Sequence, residues 1–138
     1  MTMPDLKPEL SNRSKYWIPK HRYYELKHYC LQYPHWQKLY ASLEFKMEVK
    51  NDNIRASELS KPVEKIALIR ADCAKAMELV ERTCRDASKE LSGYLLKAVT
   101  EGIPYTRLLT VYQIPCGKDM YYDAYRKFFY ILSQRRGI

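Results

Sequence analysis

The sequence predicts an all-α fold, and three observations lead to that prediction. The 138-residue chain has only four glycines, and its seven prolines mostly stand where helices would begin. Alternating polar and apolar runs, which are typical of β-strands, are hard to find. Apolar residues make up 46% of the chain, so we expect a packed helical domain rather than a disordered chain.

Four segments are expected along the chain. Prolines and polar residues at the amino terminus indicate a mobile tail. A run of three turn-forming residues near position 52 indicates a loop or hinge, which could also hold a short helical piece. The last segment is expected to contain a pair of long central helices and a C-terminal helix-turn-helix, and to form one compact domain with a helical hairpin. The tail covers residues 1–15, the hairpin 16–45, the loop or hinge 46–60 and the last segment 61–138, with the helix-turn-helix at 103–136.

The predicted hairpin consists of two helical patterns with almost no sequence between them. The first begins at Pro19, because proline suits the first turn of a helix. The second extends from Pro34 to about Glu44 and carries a one-sided stripe. Aromatic and cationic side chains mix through residues 16–29, where we favour an aromatic face packed on the core over a single-strand nucleic-acid site. The stripe of the second helix is Trp36, Leu39, Tyr40 and Leu43.

The predicted central helices share one apolar seam. Ser60 is a candidate cap of the first of them, which runs to about Arg85, and the second ends near Gly102. Apolar residues recur at steps of four and three, as in a heptad pattern. The favoured interpretation is packing within the chain's own domain, and the alternative is a homodimer through residues 66–98. The seam contains Cys73, Met77, Val80, Cys84, Ala87, Leu91, Tyr94 and Ala98.

Composition excludes several functional classes. No glycine-rich phosphate loop, nucleophilic triad or pair of catalytic carboxylates is recognisable, so we expect a non-enzyme without a cofactor. The histidines and Cys30 lack the spacing of a metal site. Four scattered cysteines, without a signal peptide or a long apolar run, predict reduced thiols in a reducing cytoplasm and no membrane association. The net charge of +8 favours a polyanionic partner.

The C-terminal segment carries the clearest functional pattern. A short helix opening at Pro104 is followed by a break at Gln113-Ile114-Pro115 and then by a long helix rich in tyrosine and basic residues. Two helices joined by a short turn are typical of a DNA-binding helix-turn-helix. Leu108, Leu109 and Val111 are expected to face inward from the first helix, Ile114 to fill the turn, and Met120, Ala124, Phe128 and Ile131 to form the core face of the second.

This segment resembles a known module. Ile114-Pro-Cys-Gly-Lys-Asp-Met-Tyr-Tyr, followed by Tyr125-Arg126-Lys127-Phe128-Phe129, is similar to the C-terminal module of phage late-gene regulators of the RinA and ArpU type and to region four of sigma factors. The opening and the close of the chain also resemble small prophage proteins of Gram-positive bacteria. Here Pro115 adds a residue to the turn, no glycine occupies it, and Leu109 stands where the module prefers alanine.

The resemblance implies a phage-type transcriptional regulator that binds double-stranded DNA. The helix at residues 117–134 would enter the major groove, and RNA polymerase is a possible second partner. The alternatives are an interaction protein that inhibits a host nucleic-acid-binding protein, and a structural helical oligomer. The predicted DNA-contacting residues are Thr106, Arg107, Lys118, Tyr121, Tyr122, Arg126, Arg135 and Arg136.

Overall fold

The described residues of the chain form α-helices and no β-strand, which confirms the predicted all-α class. A computed structural model describes residues 15–53 and 56–137, with side chains for 15–46 and 62–137. The predicted mobile tail therefore lies almost wholly outside the described residues. The helices are α1 (Lys20–Cys30), α2 (Tyr33–Asn53), α3 (Ala56–Ala87), α4 (Ser92–Glu101), α5 (Tyr105–Thr110) and α6 (Lys118–Arg136).

The prediction of a loop or hinge at residues 46–60 is wrong for most of that segment. Helix α2 continues through Asn53, and α3 begins already at Ala56, so only residues 54–55 lie outside the described structure. Eight of the fifteen residues of this segment are Lys, Glu, Met, Ala, Arg or Leu, whose high helix propensity outweighs the polar, aperiodic pattern. Ser60 is consequently an interior helical residue rather than a cap, and Pro62 stands inside α3.

The described chain divides into two compact units. One contains α1 with the last part of α3, from Val80 onward, and helices α4 to α6. The other contains Tyr33–Leu79, which covers α2 and most of α3. The predicted hairpin at residues 16–45 is thus divided between the units, because α1 groups with the C-terminal helices and α2 does not.

The unit of α2 and α3 is organised around the predicted stripe. Trp36 and Leu43 are buried, whereas Leu39 and Tyr40 are half-buried. The guanidinium of Arg70 lies 4.3 Å from the centre of the Tyr40 ring, a cation–π contact. An ion pair at 3.9 Å also joins Arg70 to Glu44. Both contacts link α3 to α2 on the side of the stripe.

The seam of α3 and α4 is covered within the single chain. Its residues Val80, Cys84 and Leu91 are at most 1% exposed. Cys73, Ala87 and Ala98 are also buried, and only Met77 and Tyr94 are half-buried. This burial supports packing of the seam within the chain. Leu68, which lies outside the heptad pattern, is 67% exposed, and the homodimer through residues 66–98 stays a prediction.

Gly102 ends α4 in the left-handed conformation, as the sequence predicted. Its φ is 69°, and its backbone N–H donates to the carbonyl of Ala98. We expect Gly102→Ala to lower the free energy of unfolding by about 1 kcal/mol, because an L side chain disfavours this conformation. Gly93→Ala is the matched control: it lies inside α4, a Cβ there meets no atom within 4 Å, and alanine should raise stability by about 0.5–1 kcal/mol. Chemical denaturation of both variants measures the two effects, and equal signs would contradict the prediction.

Candidate nucleic-acid interface

The segment between α5 and α6 is a seven-residue turn with an apolar plug. Ile114 is buried, and its N–H donates to the carbonyl of Leu108 at 3.0 Å. The preceding Gln113 has a φ of 55°, so a residue other than glycine adopts the left-handed conformation at this position. The Tyr105 hydroxyl donates to the carbonyl of Cys116 at 2.9 Å and links α5 to the end of the turn.

The core face of α6 is aromatic and differs from the predicted one. Met120 is 51% exposed and Ile131 is half-buried, so two of the four predicted core residues do not belong to that face. Leu109 and Val111, expected to face inward, are also exposed. The observed core face of α6 is rotated by roughly a quarter turn from the predicted one. It consists of Tyr121, Tyr122, Ala124, Tyr125, Phe128, Phe129 and Leu132.

Tyr121 and Tyr122, which the sequence predicts to contact DNA, are buried in this fold. Tyr121 is fully buried, and its ring lies 5.3 Å from that of Tyr105. Tyr122 is about nine-tenths buried, with its ring centre 4.9 Å from that of Tyr121. The physical reason is that an amphipathic ring gains more from burial against other rings than from exposure on a helix. Both side chains therefore hold α6 in place.

Arg135 and Arg136, predicted to contact the DNA backbone, are engaged within the protein. Arg135 donates to the Thr83 hydroxyl at 3.0 Å and pairs with the Asp86 carboxylate on α3. The hydrogen bond from Arg135 holds the pKa of Asp86 below its ordinary value. The Arg136 guanidinium lies 3.7 Å from the centre of the Tyr29 ring on α1. A DNA phosphate would have to compete with these contacts.

The other predicted contact residues are accessible. Thr106, Arg107 and Lys118 are exposed, and Arg126 is half-buried. Lys127, which the sequence analysis did not select, is half-buried on the side of α6 opposite the aromatic core. Once the aromatic core face of α6 is known, Lys127 can be recognised as an outward-facing cation, because residue 127 lies about half a turn from the centre of that face. Asp119 and Asp123 are exposed on the same side.

Helix α1 holds α6 through contacts that the sequence did not predict. The Nε and Nη2 atoms of Arg22 donate to the hydroxyl and the carbonyl of Ser133 at 3.0 and 2.9 Å, and Nη2 also donates to the Gly137 carbonyl. The hydroxyls of Tyr23 and Tyr125 share a buried hydrogen bond of 2.8 Å. No sequence signal joins residues more than one hundred positions apart.

The pKa values of three of the four cysteine thiols are raised. Burial raises the pKa of Cys30 above its ordinary range and that of Cys84 to about 12, as expected for reduced core thiols. Burial also raises the pKa of the more exposed Cys116.

Among the described residues, no group of three or more His, Cys, Asp or Glu side chains is placed to hold a metal ion. No helix in that part of the chain is long and apolar enough to cross a membrane.

Comparison with protein families, with curated proteins and with solved structures finds no match. The structure therefore defines the class only as an all-α protein with a short helix, a turn and a long helix at its C-terminus. The functional interpretation depends on the geometry and charge of that segment.

Proposed function

We propose that the protein is a DNA-binding transcriptional regulator that contacts DNA through α5, the turn and the outward side of α6. The observation that carries the proposal is a group of four cations on this segment. Arg107 and Lys118 are exposed, and Arg126 and Lys127 are half-buried. None of them has an ion-pair partner among the described residues. Cations without such partners are available to replace the counterions of a phosphate backbone.

The arrangement supports a division of roles. Lys118 is the first residue of α6, and the amino-terminal end of a recognition helix is the part that approaches base edges. The planar guanidinium of Arg126 can donate two hydrogen bonds to guanine, whereas Arg107 and Thr106 on α5 can donate to phosphate oxygens. Tyr121, Tyr122, Arg135 and Arg136 are left out of this contact set because the fold engages them internally.

Two exposed carboxylates on α6 allow a test in which removal of a charge should raise the affinity for DNA. Asp119 and Asp123 lie on the outward side of α6 and would repel phosphates at short range. Replacing Asp123 with asparagine removes one of these charges without changing the shape of the side chain. If α6 docks on DNA, Asp123→Asn should bind more tightly than the wild type.

The experiment is duplex binding by fluorescence anisotropy across a salt series, with a mixed pool of short duplexes. The wild type should bind with an affinity that falls steeply with salt. Lys118→Ala/Arg126→Ala should weaken binding and reduce the slope of log K against log salt by up to about 2, because each cation removed from the DNA surface lowers the number of released counterions by nearly one.

The matched control is Arg82→Ala/Lys89→Ala. It also removes one arginine and one lysine, both exposed in the same unit but outside the α5–α6 segment. A loss of affinity equal to that of Lys118→Ala/Arg126→Ala would mean that only net charge matters. Binding that is absent or independent of salt would reject the proposal.

A second candidate function is docking to a protein. Three large apolar side chains of the same segment, Leu109, Val111 and Met120, are 47%, 57% and 51% exposed. Exposed apolar side chains that cluster on a surface mark interaction sites. This candidate agrees with the alternative of an interaction protein, and it would be favoured if duplex binding fails while Met120→Glu weakens capture of a purified RNA polymerase.

A further inference from the structure

A large cleft lies inside the unit that contains the proposed DNA-binding segment. It has a volume of about 880 Å³ and is lined by residues of α1, α4, α5, α6 and the linker between α4 and α5. Small-molecule sites typically have volumes of about 300–1,000 Å³. The cleft is therefore large enough for a drug-sized ligand.

The walls of the cleft are mainly apolar and aromatic. Val99 and Ile103 contribute aliphatic surface, and the rings of Tyr105, Tyr122 and Tyr125 contribute aromatic surface. The ring centre of Tyr122 lies 6.2 Å from those of both Tyr105 and Tyr125, at interplanar angles of 47° and 76°. The three tyrosines are 4–9% exposed, so each of them offers the cleft a small apolar area.

The aromatic walls are fixed before any ligand binds. The Tyr125 hydroxyl is bonded to that of Tyr23, and the Tyr105 hydroxyl donates to the carbonyl of Cys116. The linker is fixed as well, because Gly102 is held in the left-handed conformation by its bond to Ala98. A preformed cleft loses little entropy when it is filled, which favours specific binding.

The charged groups of the cleft have a positive balance. Lys27 on α1 and Lys118 on α6 both line it, opposed by one carboxylate, that of Glu101. Neither lysine forms an ion pair with a described residue. One cation is thus left without a countercharge, and a carboxylate, sulfonate or phosphate on the ligand would complement it.

We propose that this cleft binds a small aromatic anion, with the rings against Val99, Ile103 and the tyrosines and the anionic group near Lys27 and Lys118. The proposal extends the proposed function at one point. Thr106 and Lys118 line the cleft and also belong to the proposed DNA-contacting set. Lys118 cannot hold both anions at once, so the ligand lowers the affinity for DNA, and DNA lowers the affinity for the ligand by the same factor.

The experiment uses the full chain and a matched pair of dyes. 8-Anilinonaphthalene-1-sulfonate is an aromatic anion, and N-phenyl-1-naphthylamine has the same rings without the charge. The anionic dye should bind at one site, and Lys27→Gln should weaken it about fivefold, the effect of losing roughly one partly screened charge interaction. Lys89→Gln, which removes an exposed charge outside the cleft, should leave it unchanged. The neutral dye should be insensitive to both substitutions.

Two further measurements locate the site. Amide chemical shifts should change at Gly102, Ile103 and Thr106 when the anionic dye is added, and Ile103→Trp, which fills the cleft, should abolish its binding. Equal binding of the two dyes, an unchanged Lys27→Gln variant, or shifts confined to other residues would overturn the proposal. If Ile103→Trp does not fold, the dye affinity of Lys27→Gln and the amide chemical shifts of the wild type still test whether the dye binds in the cleft.

The coupling to DNA is measured separately from the site itself. Addition of the anionic dye should lower duplex affinity in the wild type, and this effect should be smaller in Lys27→Gln. If the protein does not bind DNA, dye binding and its dependence on Lys27 are unaffected, so failure of the proposed function is distinguished from failure of the cleft. If DNA and the dye both bind without mutual effect, the shared role of Lys118 is rejected.

Discussion

Phe129→Ala should lower the free energy of unfolding by about 3–5 kcal/mol, the usual effect of deleting a large aromatic side chain from a packed core. Phe129 is 2% exposed, and its ring centre lies 5.0 Å from those of Tyr23 and Tyr125 and 4.9 Å from that of Phe128. Alanine leaves a cavity in contact with three rings and removes their edge-to-face contacts. Urea denaturation followed by circular dichroism measures the change.

Met120→Ala is the control for this prediction. Met120 is the first residue of the predicted core stripe but is half-exposed, so its replacement should change stability by less than about 0.5 kcal/mol. The sequence-based stripe predicts the opposite, a large loss at Met120. If Phe129→Ala proves too unstable to purify, Phe129→Leu should show a smaller loss of the same sign. If Phe129→Ala leaves stability unchanged and Met120→Ala lowers it strongly, the core face of α6 would be the one predicted from the sequence.

Arg22→Met should lower stability by about 2–3 kcal/mol and loosen the C-terminal end of α6. One guanidinium donates to the Ser133 hydroxyl, the Ser133 carbonyl and the Gly137 carbonyl, and hydrogen bonds to charged groups contribute about 1.5–3 kcal/mol. Methionine keeps the apolar stem but has no donors. Hydrogen exchange at the last turn of α6 should accelerate together with the loss of global stability.

The control separates these bonds from the surface ion pair of the same residue. Arg22 also pairs with Glu25 at 2.6 Å, but the Glu25 side chain is 62% exposed. Glu25→Ala should therefore change stability by less than about 1 kcal/mol. An equal loss in both variants would show that the ion pair, rather than the link to α6, accounts for the effect of Arg22.

The occupied arginines change where binding to DNA is expected. Six of the eight charged side chains between residues 102 and 138 are basic, and the sequence places Arg135 and Arg136 at the end of a supposedly exposed helix. In the fold one pairs with Asp86 and the other covers Tyr29, which shifts the available positive charge to Arg107, Lys118, Arg126 and Lys127. The proposed contact surface therefore includes the start of α6, and the cleft beside it shares Lys118.

The sequence by itself determined the all-α class and several local features. Scarce glycine, prolines at helix starts and one-sided stripes are local signals, and the fold confirms them at α1, at Gly102 and at the Ile114 plug. It failed at residues 46–60, where a polar and aperiodic composition concealed strong helix propensity. Helix formation depends on near neighbours, so local reasoning succeeded where propensity and pattern agreed.

Only the tertiary structure decided which face of α6 is buried. Periodicity allows two overlapping stripes on that helix, and tyrosine is compatible with either one because its ring is apolar and its hydroxyl is polar. The choice was made by distant partners: Tyr23 bonds to Tyr125, Tyr105 packs on Tyr121, and Arg22 reaches Ser133. These contacts join residues far apart in sequence, so neither the buried tyrosines, the engaged arginines nor the cleft could be predicted from spacing alone.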